Sequence, residues 1–389
     1  MNDTTEDRPM DEVMEILIEQ GFDGMDQAVA ILINEAMKIE RSHILQAAAY
    51  ERTPARKGHA NGYKPKNVKS RLGNLALQVP QVRGGVPFYP SALEKGERSE
   101  RALKLAMAEM YIKGVTTRKV SGVLEKLCGL EFSSMDVSRA SKLLDEELGQ
   151  WRNRTLGPVE YLILDARYEK IRMDGSVVSC AVLLATGVLA DGRRSVLGVS
   201  VSMSEAEVHW RELLLSLKKR GMHGVKLITS DDHSGLKAAL ESSLPGIPWQ
   251  RCQVHLQRNA SAYVPRVDMR EVVAADIRSI FNAPDREEAD RLLAKVVEKY
   301  SKKAGRLAVW LEENIPEGLA VFAVPPKHQR RLRSTNMVER QNREIKRRTR
   351  VSGLFPNEAS LLRLVSAILM EVSEEWESAE KVYLKMKAE

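Results

Sequence analysis

Cysteine is scarce in this chain: Cys128, Cys180 and Cys252 are the only three in 389 residues. Three scattered thiols cannot make a disulfide framework, which points to a reducing, cytoplasmic setting. No apolar run approaches the roughly 20 residues of a membrane span, so no membrane partner is expected. The first ten residues are polar and acidic, and no secretory signal is visible among them. What is present suits a soluble globular protein with room for two or three domains: hydrophobic residues make up 43% and charged residues 29%. The formal net charge is +7 and the pI near 9.1, which favours a polyanionic partner without naming one.

The first 50 residues contain a helical pattern over 25–49. Val29, Leu32, Ile33, Ala36 and Met37 recur at spacings of three and four, as a core or dimer-packing helix requires. Residues 52–71 carry Arg52, Arg56, Lys57, Lys64, Lys66, Lys69 and Arg71 among Pro and Gly. Such a segment buries little surface. It reads as a flexible basic arm lying along phosphates or in a minor groove, or as a solvated linker. Leu75, Leu77 and Val79 then alternate as one short strand, within an arm-and-strand segment 51–98.

Between 99 and 154 the pattern predicts three helices, over 101–113, 116–128 and 133–151. Two helices joined by a turn at Gly129 match a helix-turn-helix, although plain helical hairpins look the same in sequence. A DNA-reading third helix would offer Ser134, Asp136, Arg139 and Lys142 near its start.

The segment 155–265 alternates strands and helices. Residues 159–171, 177–188 and 195–201 read as three strands, with Asp191-Gly192 a hairpin signal between the last two. Ser204 and Glu207 have capping-box spacing before a helix. A short buried strand over 225–229 runs into Ser230-Asp231-Asp232. A helix and a fifth strand, 249–254, follow. Three meandering strands, then helix-strand-helix-strand, is the order of a ribonuclease-H-like α/β fold with a mixed five-stranded sheet. Residues 266–327 turn wholly helical, as an insertion, before the final helices and tail, 328–389.

In that order the ends of the first and fourth strands lie side by side, and each ends in an acid. Asp165 interrupts the apolar run 161–164, where a buried, unpaired carboxylate costs several kcal/mol. It therefore caps the strand, pairs with Arg167, or shares a cation with Asp231. Asp232 has an ordinary role as helix N-cap. The most basic stretch, 327–350, supplies a third acid, Glu339. Helical spacing lines up Glu339, Arg343, Lys346 and Arg350, beside Arg340 and Arg347. Either Glu339 closes a capping box with Asn336 and the arginines are solvated, or the acid holds metal while the row holds phosphates. Two like charges about 4 Å apart repel by about 4 kcal/mol at an effective dielectric of about 20, so three gathered carboxylates imply cations. Oxygen ligands suit Mg2+ or Mn2+, and two such ions serve cleavage and joining of phosphodiesters.

Three blocks carry a family resemblance: Ser230-Asp231-Asp232-His233-Ser234-Gly235-Leu236; residues 249–259 with Trp249, Cys252, His255 and Arg258; and Thr335-Asn336-Met337-Val338-Glu339 through Asn342. Together they resemble the bacterial Mutator-type insertion-sequence transposases, the insertion-sequence 256 group, over about residues 99–371. The residues after Asp165 depart mildly from the expected pattern. The resemblance implies a DDE transposase with catalytic Asp165, Asp231 and Glu339, a ribonuclease-H-like core and an all-helical insertion. It implies binding of terminal inverted repeats, cleavage and transfer to target DNA through a circular intermediate, and a dimer or larger assembly on DNA in the bacterial nucleoid. Cys252 and His255 match the family's Cys-x-x-His signature. As a zinc site they lack a second pair, so a role ordering the acids is expected. Trp310 is a core residue or a platform for an unpaired base at the transposon end. A DNA-binding protein that no longer cleaves and a resolvase-like nuclease are the competing readings.

Overall fold

A computed structural model describes residues 8–386, the side chains of Arg8 and Arg340 excepted. The chain forms two compact units, Met1–Leu143 and Leu144–Glu389. Among the described residues no helix is long and apolar enough to cross a membrane, and the three cysteines are free thiols.

In the first unit, α1 (Arg8–Gln20) and α2 (Met25–Leu45) precede an antiparallel hairpin of β1 (His59–Ser70) and β2 (Gly73–Arg83). The expected flexible arm is therefore largely a strand, and the expected short strand is 11 residues long. The physical reason lies outside β1. Leu75 and Leu77 of β2 pack on Ala30 and Met37 of α2, and β1 is held by main-chain bonds to β2. A polar strand folds when its partner carries the apolar face.

Three helices follow: α3 (Arg101–Ile112), α4 (Thr117–Cys128) and α5 (Ser134–Ser141). Thr116 caps α4, which ends on Gly129 at φ 63, a left-handed residue that glycine adopts without a Cβ penalty. Ser133 and Asp136 form a capping box on α5. Leu103, Met107, Val120, Leu124, Phe132 and Val137 pack the three together. The third helix does not run on to Trp151 as expected. It stops at Ser141, and α6 (Asp145–Arg152) begins separately with Asp145, Glu146 and Glu147 in its first turn, where acids suit the helix dipole.

The second unit is built on a five-stranded mixed sheet of order β5-β4-β3-β6-β7. Its strands are β3 (Val159–Met173), β4 (Ser176–Leu189), β5 (Arg194–Ser202), β6 (Leu227–Ser230) and β7 (Trp249–Arg251). The first three are an antiparallel meander; β6 runs parallel to β3 and β7 parallel to β6. Helices α7 (Glu207–Lys219) and α8 (Ser234–Ser243) alternate with β6 and β7. Trp210, Leu213 and Leu214 of α7 and Leu236 of α8 cover Leu162, Leu164 and Leu183 of the sheet. β4 is buried continuously from Cys180 to Val188, as a strand covered on both faces must be.

The fifth strand is shorter than expected. It stops at Arg251, and α9 (Gln253–Ala260) starts two residues later. Ser204 does not cap α7, whose N-cap is Ala206. Helices α10 (Arg270–Phe281), α11 (Arg286–Ser301) and α12 (Gly305–Asn314) share one core with α9. Then come α13 (Pro326–Leu332), α14 (Asn336–Ser352) and α15 (Glu358–Ser378). Ser373 of α15 accepts from the Val196 N–H of β5 at 2.9 Å, which seats that helix on the sheet edge.

Candidate active site

The parallel register of β3 and β6 pairs Ile163 with Thr229. Two residues further along each chain come Asp165 and Asp231. Residues two apart in a strand face the same way, so the register brings these acids to neighbouring positions. Burial pushes the Asp165 carboxyl up to about 6, and the charge on Asp231 adds to the rise. Hydrogen bonds from the Asn342 side chain and the Ala166 backbone, and the charge of His255, act in the opposite direction.

The third acid arrives on α14. That helix is fastened along β3 by several bonds. Asn342 Nδ2 donates to Asp165 Oδ2. Arg167 donates to the Asn342 carbonyl at 2.6 Å, and Thr349 donates to Glu169 at 2.9 Å. From β4, Thr186 donates to Gln341 Oε1 at 3.1 Å. Arg167 is thus engaged with Asn342 and Glu169, and the expected alternative of an Arg167–Asp165 pair is not formed. Glu339 stands one turn before Asn342 on the same helical face and is exposed. No capping box forms: Thr335 is the N-cap of α14 and makes no side-chain cap bond.

His255 lies against the acids, and Cys252 lies beside His255. His255 Nδ1 is 3.6 Å from Asp231 Oδ1. The Cys252 N–H donates to the Ser230 carbonyl at 2.7 Å, and its sulfur accepts from Thr335 N–H at 3.4 Å and Thr335 Oγ1 at 3.5 Å. Burial alone would raise this thiol, but hydrogen bonds from His255 and Thr335 bring it below its usual value. The bond with Cys252, followed by the charges of Asp231 and Asp165, raises His255. One cysteine thereby joins the end of β6, the start of α9 and the start of α14.

Asp232 is not a helix cap; His233 precedes α8 as N-cap. Asp232 instead pairs with buried Arg251 at 3.0 Å and with Lys237 at 3.6 Å. Arg251 also donates to Asn314 and Glu317, each at 2.9 Å. The residue after Asp231 is thus tied to the end of the helical segment.

Asp165, Asp231, His255 and Asn342 are brought together, while Glu339 lies one turn before Asn342 on the bonded helix. Among the described residues no three His, Cys, Asp or Glu side chains form a set that could hold a metal ion. The expected three-acid cluster is therefore not closed, and mutual repulsion of carboxylates favours that open arrangement. The donor set still suits a hard cation. Two neighbouring carboxylates repel, and Asn342 Oδ1 is buried without a hydrogen-bond partner, leaving a further oxygen acceptor beside them.

The basic row on α14 divides. Arg343, Lys346 and Arg350 are exposed. Arg347 donates to Glu344 at 2.6 Å, and Glu344 also holds buried Arg348 at 2.7 Å. The hydrogen bonds from Arg347 and Arg348 pull Glu344 down to about 2. Arg347 thus has an internal partner that the expected phosphate row did not foresee. The Arg340 side chain lies outside the described residues. In the first unit, Arg139 and Lys142 are exposed.

Trp310 takes the first of its two expected roles, that of a core residue. It is 8% exposed and stacks on Tyr263, with ring centroids 5.3 Å apart and planes at 24°. Its face is already occupied, and its apolar surroundings make it core. Asn342 and Arg251 were missed as site residues. Asn342 carried a signal, since i+3 from Glu339 is the same helical face; Arg251 carried none, because its partners are distant in sequence.

Residues 1–379 match the family model described as Transposase, Mutator family. A transposase for insertion sequence element IS406 from Burkholderia multivorans is 55% identical over 97% of this chain and 98% of its own. A transposase for ISRM5 from Rhizobium meliloti is 43% identical over 94% of this chain and 91% of its own. A transposase for IS256 in transposon Tn4001 from Staphylococcus aureus is 36% identical over 91% of each. These relatives define an insertion-sequence transposase class, whose activity is DNA transposition. The chain belongs to the Mutator family of transposases.

Proposed function

We propose that this transposase binds the terminal inverted repeats of its element, cleaves DNA at their ends and joins the freed ends to target DNA, through a circular intermediate. Asp165, Asp231 and Glu339 are the catalytic acids and would hold Mg2+ or Mn2+. The observation that carries this reading is the β3–β6 register, which makes Asp165 and Asp231 neighbours, together with the Asn342–Asp165 bond that ties the helix of Glu339 to them. Two bound divalent ions supply an activated attacking oxygen and a stabilised leaving oxygen. The chain's own part is to keep Asp165 half-buried, to aim it through Asn342, and to set His255 against Asp231.

The sheet reads as ribonuclease-H-like, supported by three meandering strands followed by two parallel ones. The segment holding α10 to α12 reads as the helical insertion, and Arg251–Glu317 anchors it beside Asp232. Exposed Arg343, Lys346 and Arg350 run from Glu339 as a phosphate track. The α3–α5 cluster reads as a helix-turn-helix-like DNA-binding element, and the enzyme acts as a dimer or larger assembly on duplex DNA.

The test is incubation of the full chain and Mg2+ with a labelled duplex from the element's end and an unlabelled target. A nick at the element's boundary followed by a joined product supports the reading. Cleavage without joining makes it a nuclease of the resolvase kind, and specific binding without cleavage makes it a DNA-binding protein only.

A further inference from the structure

Among the described residues, only the Lys69 side chain of the outer face of the β1–β2 hairpin is engaged by the rest of the fold. The cross-strand pairs Val68–Leu75, Lys66–Leu77 and Lys64–Val79 face one way, and Leu75 and Leu77 of that face are packed on α2. The opposite face carries Pro65–Gln78, Asn67–Ala76 and Lys69–Asn74. All but Lys69 of these six are exposed. Among the described residues no side-chain hydrogen bond engages Asn67, Asn74 or Gln78, although the Gln78 backbone N–H is taken by Asn34 at 2.8 Å. Three unengaged amides on a regular strand spacing form a surface of paired donors and acceptors.

Charge selects the partner. From Arg52 to Arg83 the chain has eight Lys and Arg and no Asp or Glu. The face lacks large apolar side chains, which argues against a protein occupant. A two-stranded ribbon fits the major groove of duplex DNA, about 12 Å wide. There, Asn and Gln amides pair with the adenine edge, and a small apolar side chain such as Ala76 meets a thymine methyl.

The ribbon is rigidly mounted. Lys69 Nζ donates to the Glu131 carbonyl and lies 4.5 Å from the Phe132 ring centroid, at the turn before α5. Beyond that turn lies an open groove of about 850 Å³, lined by Asn67 and Asn74 of the ribbon and by Arg139 of α5 among others.

We infer that the β1–β2 ribbon, entering the major groove, reads the sequence of the terminal repeats, while Arg139 of α5 and Lys142 just past its end hold the flanking phosphates. This rests on the proposed end-binding function. It reverses the roles expected for the basic segment and the third helix: the segment becomes the reader and the helix the anchor.

The test uses the full chain carrying Asp165→Asn, so that DNA stays intact. Affinity is measured for duplexes with the terminal repeat and for scrambled duplexes of equal composition. Asn67→Ala and Gln78→Ala are each expected to lower affinity for the repeat by about 5- to 150-fold, the worth of one paired base contact, and to leave scrambled-duplex binding unchanged. Arg139→Ala is expected to weaken both duplexes equally. Because a ribbon variant can lose binding through misfolding, Gln78→Arg is a second test: it should favour a G·C pair at one repeat position over the wild-type A·T. If the wild-type chain prefers the repeat and the alanine variants keep that preference, the ribbon is not the reader, although end binding stands. If the wild-type chain shows no preference, end binding fails and this inference with it.

Discussion

Asn342 Nδ2 donates to the carboxylate of Asp165 across 177 residues of sequence. The bond joins the helix bearing Glu339 to the strand bearing the first acid. It therefore sets the orientation of one proposed catalytic carboxylate and the placement of another. Removing it should disturb both without touching the acids themselves. Asn342→Ala is expected to lower cleavage of labelled end DNA by about 10- to 100-fold, and to raise the Mg2+ concentration needed for half-maximal cutting. Unchanged cutting and an unchanged Mg2+ requirement would show that the bond has no part in the reaction.

Asp165 also gives a pH signature in stability. Burial raises its carboxyl from 3.8 to about 6. A raised carboxyl favours folding while it is protonated. Its contribution is fully present below about pH 4 and is lost as pH rises through about 6. Asp165→Asn removes the dependence. With chelator present, the variant should gain stability over wild type by about 2–3 kcal/mol between pH 4 and pH 7.5. Urea midpoints measured across that range check it; a difference that does not vary with pH contradicts it.

Arg251 is 4% exposed and bonded to Asp232, Asn314 and Glu317. Arg251→Met leaves Asp232 and Glu317 without their buried cation. The loss is expected to be about 3–5 kcal/mol, the range for removing one partner of a buried ion pair. Lys237 still reaches both acids, at 3.6 and 2.8 Å, which favours the lower end. A urea midpoint within error of wild type would mean that this network does not anchor the segment.

The neighbouring placement of Asp165 and Asp231 was legible in sequence because an apolar strand run broken by an aspartate is costly, and the order of elements put the ends of two strands together. The observed sheet is mixed and five-stranded, with the first strand paired to the fourth as expected. The ribbon was not legible. Lys64, Lys66 and Lys69 look like a solvated arm until β2 supplies Leu75 and Leu77 and α2 covers them. The helix α9 was missed because the strand before it has three residues, Trp249 to Arg251, too few to show a period. Trp310 was ambiguous because an aromatic ring suits a core as well as a base, and only Tyr263 on its face decides.

Exposed Arg343, Lys346 and Arg350 define a salt test. Replacing all three by Gln should flatten the slope of log affinity against log salt by about 2–3. Arg347→Gln should change it less, because Glu344 already holds that guanidinium at 2.6 Å. Equal slopes for wild type and triple variant would place the phosphate track elsewhere.

Asp165, Asp231 and Glu339 are proposed to act as one catalytic set. The direct measurement is Mg2+-dependent cleavage of labelled end DNA by Asp165→Asn, Asp231→Asn and Glu339→Gln, with binding measured in parallel. Each variant is expected to bind like wild type, and none to cut. Cutting at the wild-type rate by any one of them would contradict it.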